Sequence, residues 1–81
     1  MFQKTQTFDD VISQLCKKRK CVVLEASPND VTIQSPETTF WSDVVYFETV
    51  CDCFMATMYG TSAWIICVSP DRHTIRLGCN Y

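Results

Sequence analysis

The side chains able to do chemistry in this sequence are six cysteines, one histidine (His73) and a scatter of carboxylates that includes the adjacent pair Asp9-Asp10. A zinc site would have to draw on Cys51, Cys53, His73 and Cys79. Structural zinc usually takes two knuckles with roughly two to four residues between ligands. That spacing occurs once here, between Cys16 and Cys21, where Lys17–Lys20 would repel the cation. On a helix, moreover, Cys51 and Cys53 project to opposite sides. A thiol nucleophile would pair His73 with Cys67 across a hairpin, but no third group stands ready to orient the imidazole. Asp9-Asp10 are better explained as acids in the first turn of a helix. With only Gly60 and Gly78, the chain has too few glycines for a phosphate-cradling loop or a dinucleotide fingerprint. The expectation is a protein without catalysis, metal or cofactor.

Length and composition agree with that modest chemistry. The chain has 81 residues, 47% of them hydrophobic, with a net charge of −2. This is the profile of one folded domain with a small core, in which a ligand pocket is hard to build. The first residues, Met1-Phe2-Gln3-Lys4-Thr5-Gln6-Thr7, lack the apolar stretch of a secretory signal. No apolar run approaches the roughly 20 residues that span a bilayer. A cytoplasmic location away from membranes is expected, or a nuclear one in a eukaryotic host. The cysteines are then expected as thiols, several of them acting as small hydrophobes.

The elements that must position these residues follow from periodicity. Thr7 offers a hydroxyl N-cap ahead of Asp9 and Asp10, and Phe8, Val11, Ile12, Leu15 and Cys16 recur on one helical face. Lys17-Lys18-Arg19-Lys20 complement the negative end of the dipole, so a helix is predicted over about 7–19. Cys21–Ala26 and Val31–Ser35 flank Ser27-Pro28-Asn29-Asp30 and predict a β-hairpin. Ala63–Val68, Ser69-Pro70-Asp71-Arg72 and His73–Leu77 predict a second. A shift of 42 residues superposes the two Ser-Pro motifs, suggesting an internal repeat with halves of about 7–35 and 42–77, against the alternative of two unrelated hairpins.

Ser42–Tyr59 reads two ways. As a helix it aligns Val44, Phe47, Cys51, Phe54, Met55 and Met58 and ends at Gly60. As a strand it suits local propensity. Its length favours the helix. Residues 35–41, with Phe40 and Trp41, become a linker. The predicted architecture is a single α+β domain over 1–81 in αββ-αββ order, a mostly antiparallel four-stranded sheet with both helices on one face.

Charge is the most informative pattern. Four of the seven cations are consecutive, at Lys17 to Lys20, and no further lysine or arginine occurs before Arg72. Between them stand Glu25, Asp30, Glu37, Asp43, Glu48, Asp52 and Asp71. Such a stretch repels nucleic acid and attracts basic surfaces, although a plain solvated acidic face is the simpler account. The cluster Lys17, Lys18, Arg19, Lys20 is foremost a helix-end complement. Its other readings are an anion contact and a nuclear-import tetrad. A pI of 5.1 is far below that of a dedicated nucleic-acid binder.

If Ser42–Tyr59 is helical, Val45, Tyr46, Val50 and Cys53 fall opposite the buried stripe, where a surface helix should be polar. That surface is expected to be covered by a second copy, giving a homodimer. The sequence therefore points to a non-catalytic regulator or inhibitor, of the kind found among viral accessory factors and small regulatory subunits. It would dock Glu37, Phe40, Trp41, Asp43, Glu48 and Asp52 on a basic surface of a larger protein. Two alternatives are a nucleic-acid-associated protein using Lys17–Lys20, and a metal- or redox-responsive cysteine-rich domain.

Overall fold

The computed structural model describes residues 7–60 and 64–79. Helix α1 (Phe8–Arg19) begins where the capping residues predict. Thr7 is extended and its hydroxyl accepts from the Asp10 N–H at 3.4 Å. The helix stops because Lys20 turns left-handed, at φ 59°. Strands β1 (Val22–Ser27) and β2 (Asp30–Gln34) then form a hairpin over the two residues Pro28 and Asn29. The Ser27 hydroxyl clamps this turn by donating to the Asp30 carbonyl at 3.2 Å.

A short 3-10 turn (Glu37–Thr39) leads straight into helix α2 (Phe40–Tyr59). Gly60, at φ +66°, closes α2 with its N–H on the Ala56 carbonyl, a conformation that glycine adopts without Cβ strain. Strands β3 (Trp64–Val68) and β4 (Thr74–Cys79) complete a four-stranded sheet in the order β1-β2-β4-β3, antiparallel throughout.

The predicted α+β fold is the observed one, and 42–59 is helical. Two local readings are corrected. Helix α2 starts at Phe40, so Phe40 and Trp41 form its first turn and are not linker residues. Phe40 is buried, and that burial outweighs the poor helix propensity of the threonines ahead of it. The second turn is longer than the first: Ser69 N–H bonds to the Thr74 carbonyl, Arg72 is left-handed at φ 60°, and His73 lies in the turn, not in the strand. Ala63 lies outside the described residues.

Alternation along β2 and β4 sends Val31, Ile33, Ile75, Leu77 and Cys79 to one face, where both helices cover them. Phe8, Ile12 and Cys16 of α1 and Phe40, Phe47, Cys51, Phe54 and Met55 of α2 complete the core. Each large side chain buried here contributes about 1.5–3 kcal/mol relative to exposure. The Phe8 and Phe54 rings meet edge to face at 6.0 Å between centroids, locking the two helices together. The central ladder pairs Ile33 with Ile75, residues 42 positions apart, the same offset that relates the two Ser-Pro motifs. The turns themselves do not share one geometry. The sheet's other face carries Asp30, Thr32, Gln34, Thr74 and Arg76, and neither α1 nor α2 lies over it.

Candidate docking surface

Helix α2 is held from beneath by a buried carboxylate. Asp43 occupies the apolar period Phe40, Asp43, Phe47, Cys51, Phe54 and is fully buried, as are those phenylalanines. Its Oδ1 accepts from Arg19 Nε at 2.8 Å, a salt bridge across 24 residues. Its Oδ2 accepts from the hydroxyls of Ser35 and of Thr39, the latter at 2.9 Å, and from the Cys21 thiol at 3.6 Å. Burial acts to raise the Asp43 carboxyl, but the hydrogen bonds from Ser35, Thr39 and Arg19 outweigh it and hold the group below its ordinary value. The same carboxylate, added to burial, pushes the Cys21 thiol up to about 11. One side chain thereby ties the end of α1, the end of β2 and the start of α2 together.

That anchor decides which residues of α2 face outward. With Phe40 driven into the core, Trp41 emerges beside it, 55% exposed, its ring edge-on to Phe40 at 5.2 Å. Trp41, Val45, Glu48 and Asp52, spaced 4, 3 and 4, then follow one exposed stripe, with Val45 at 62% exposure. The Thr49 hydroxyl returns to the Val45 carbonyl at 3.0 Å and leaves the stripe clear. A shallow groove of about 590 Å³ runs beside the stripe, lined by Arg19, Trp41, Ser42, Val45 and Tyr46. Two arginines flank its aromatic end. Arg19 lies over the Tyr46 ring at 4.7 Å, and Arg72 over Trp41 at 5.9 Å.

The structure separates the residues that sequence reasoning had grouped. Of the six expected partner contacts, Trp41, Glu48 and Asp52 share the stripe, and Asp52 also accepts from Trp64 Nε1. Glu37 is exposed but lines a different depression with Lys20, Pro36 and His73. Phe40 and Asp43 are buried and are not surface contacts: the first is a core aromatic and the second an internal anchor. Of the expected dimer surface, Val45 alone is exposed. Tyr46 and Val50 pack against the core, and Cys53 is half-buried, so the back of α2 is largely covered by the chain itself. In the basic cluster Lys17, Lys18 and Lys20 are exposed, whereas Arg19 is engaged by Asp43.

The sequence did contain a signal for the anchor, because an acid on an apolar helical period must find partners or pay for its desolvation. The cations flanking the groove carried no comparable local signal.

The remaining chemistry is dispersed. Register places Cys67 opposite Arg76, three residues from His73 along the chain, so the two do not form a nucleophilic pair. Among the described residues no group of three or more His, Cys, Asp or Glu side chains could hold a metal ion. All six cysteines are free thiols, and burial pushes Cys16 and Cys51 up to about 12. On the open sheet face, Glu25, Ser27, Asp30, Thr32 and Arg76 line a depression whose one cation is already engaged: Arg76 Nη2 reaches Asp30 Oδ2 at 2.6 Å and holds that carboxyl below its ordinary value. Among the described residues, no helix is long and apolar enough to cross a membrane. No family model matches the chain, and neither a curated protein nor a solved structure does.

Proposed function

We propose that this protein is a non-catalytic binding module, a small regulator or inhibitor, that docks the outer stripe of α2 on a larger protein. The observation that carries this reading is the alignment of Trp41 and Val45, both more than half exposed, with Glu48 and Asp52 on a helix that contains no lysine or arginine. An exposed tryptophan beside an apolar neighbour loses solvent-exposed area when covered, and tryptophan is enriched among the residues that dominate binding energy. Glu48 and Asp52 favour a target whose surface is basic next to an apolar pocket, since opposite charges steer and orient encounter. The groove beside Trp41 gives a target side chain somewhere to sit.

The test compares proteins captured from the native host by the wild-type chain, by a Trp41→Ala, Glu48→Lys double variant, and by Val22→Lys on the opposite edge of the sheet. The expected result is a target retained by wild type and by Val22→Lys and lost with the double variant, whose circular dichroism stays native. An identical captured set for all three would remove α2 as the docking element.

A further inference from the structure

We infer that this chain forms a two-fold dimer by pairing strand β3 with β3 of a second copy, extending the sheet to eight strands. This inference stands apart from the docking role of α2. It begins from an edge that no described strand covers. In the order β1-β2-β4-β3 both outer strands have one free side, yet the two edges differ. β1 is interrupted by a bulge at Leu24 and carries Glu25, two devices that discourage further pairing. β3 reads Trp64-Ile65-Ile66-Cys67-Val68, with no charge, no proline and an uninterrupted register against β4.

The backbone phase of this edge follows from hydrogen bonds around it. Ser35 N–H to the His73 carbonyl (2.8 Å) and Cys79 N–H to the Asn29 carbonyl (2.9 Å) show that the odd-numbered residues of β4 bond toward β2. The even-numbered ones therefore bond toward β3, as the Ser69 N–H to Thr74 carbonyl bond shows at 3.0 Å. Ile65 and Cys67 consequently spend their backbone groups on β4, and Trp64, Ile66 and Val68 direct theirs outward.

This outward set is complementary to itself. Antiparallel pairing centred on Ile66 sets Trp64 opposite Val68 of the copy, Ile66 opposite Ile66, and Val68 opposite Trp64, so every outward group meets an outward group. The side chains match as well. Ile65, 51% exposed, would face the exposed Cys67 of the copy on the open side of the sheet. Val68, 41% exposed, would face Trp64 on the helix side. The sheet already uses this kind of joint internally, where β2 and β4 pair over five residues without a connecting hairpin and place Ile33 on Ile75. An uncharged strand gives a charged partner no handle, and it gives an identical one no repulsion. A second copy is therefore the occupant that the edge fits. A five-residue joint is small, so the association should be weak and concentration-dependent.

The experiment is sedimentation equilibrium of the full chain from about 5 to about 500 μM, a range suited to weak association, combined with residue-resolved amide exchange. The wild type should pass from monomer to dimer. The Trp64, Ile66 and Val68 amides should become protected as the dimer forms, while Ile65 and Cys67 are protected throughout. Val68→Lys should weaken dimerisation at least tenfold, with thermal melting at low concentration unchanged, and Val22→Lys on the β1 edge should leave it intact. Ile66→Pro supplies a second variant: the N–H it deletes is one that the monomer leaves unbonded to β4, and what it costs through lost core packing is read separately as the melting temperature at low concentration. A chain that stays monomeric throughout overturns the inference. So does a dimer that leaves those three amides unprotected or ignores both β3 substitutions.

Discussion

Replacing Asp43 by alanine tests the anchor beneath α2, and its cost can be worked from the neighbours left behind. Arg19 is 31% exposed at its side chain and Thr39 is exposed, so both can return their donors to water. Ser35, at 2% exposure, cannot, although its hydroxyl has an alternative acceptor in the Pro36 carbonyl at 3.3 Å. A stranded buried donor costs about 1–3 kcal/mol, and lost hydrogen bonds to a charged group are worth about 1.5–3 kcal/mol each. The carboxylate's own desolvation is recovered when it is removed, which cancels much of that sum.

The expected destabilisation is therefore about 2–3 kcal/mol. A domain of this length has a total of roughly 4–12 kcal/mol, so the loss is a large fraction. It should appear as a lower urea midpoint with an unchanged slope. The pH dependence is a second readout. Because the folded carboxyl lies below its ordinary value, its contribution is fully present above that ordinary value and is lost as pH falls through the folded pKa. Asp43→Asn should flatten that acid limb and leave the neutral region level. If Asp43→Ala unfolds within about 0.5 kcal/mol of wild type, the level of an ordinary surface substitution, and both variants keep the wild-type acid limb, the anchor reasoning is refuted.

Three further outcomes are expected. Asp30→Asn breaks an ion pair whose members are 34% and 58% exposed, so urea unfolding should register less than about 1 kcal/mol. Under native conditions a thiol reagent followed by mass spectrometry should label exposed Cys67 first and half-buried Cys53 next. Cys16, Cys21, Cys51 and Cys79 should react only after denaturation, and early labelling of Cys51 would contradict the packing. Gly60→Ala should cost about 1 kcal/mol in thermal or urea unfolding through left-handed strain alone, since an added Cβ meets nothing within 4 Å.

How much of this was legible in the sequence depended on whether the deciding interaction was local. For α1 the cap at Thr7, the stripe through Phe8, Val11, Ile12 and Cys16 and the terminal cations all agree, and Phe8–Arg19 is the helix observed. The start of α2 was obscured because Thr38 and Thr39 argue for a linker, and only the burial of Phe40 against distant elements argues for a helix. Asp43 was misplaced for the same reason. A carboxylate is a surface residue by default, and its exception rests on Arg19, 24 residues away. Tyr46 and Val50 looked like an uncovered back face because nothing local records that both pack against the core and that Arg19 of α1 lies over the Tyr46 ring. Glu48 was legible as exposed because the period that buries Phe47 and Phe54 turns it away, whereas Trp41 was read as a linker residue and is exposed as part of the first turn of α2.

The charge segregation takes a different meaning in three dimensions. The run from 21 to 71 holds seven acids and no base, yet the bases bounding it fold back over it. Arg19 neutralises Asp43, Arg76 neutralises Asp30, and Arg72 lies over Trp41. Glu25, Glu37, Glu48, Asp52 and Asp71 remain without a salt bridge to any described residue, and of these Glu48 and Asp52 belong to the α2 stripe. The aromatic end of that stripe is thus nearly neutral, and its far end is acidic. Contact by Trp41 and Val45 would depend little on salt. Steering by two carboxylates would fade over a Debye length of about 8 Å at physiological ionic strength. A partner on this helix should therefore lose association rate as salt rises while keeping most of its residence time, a division that seven clustered acids would not produce.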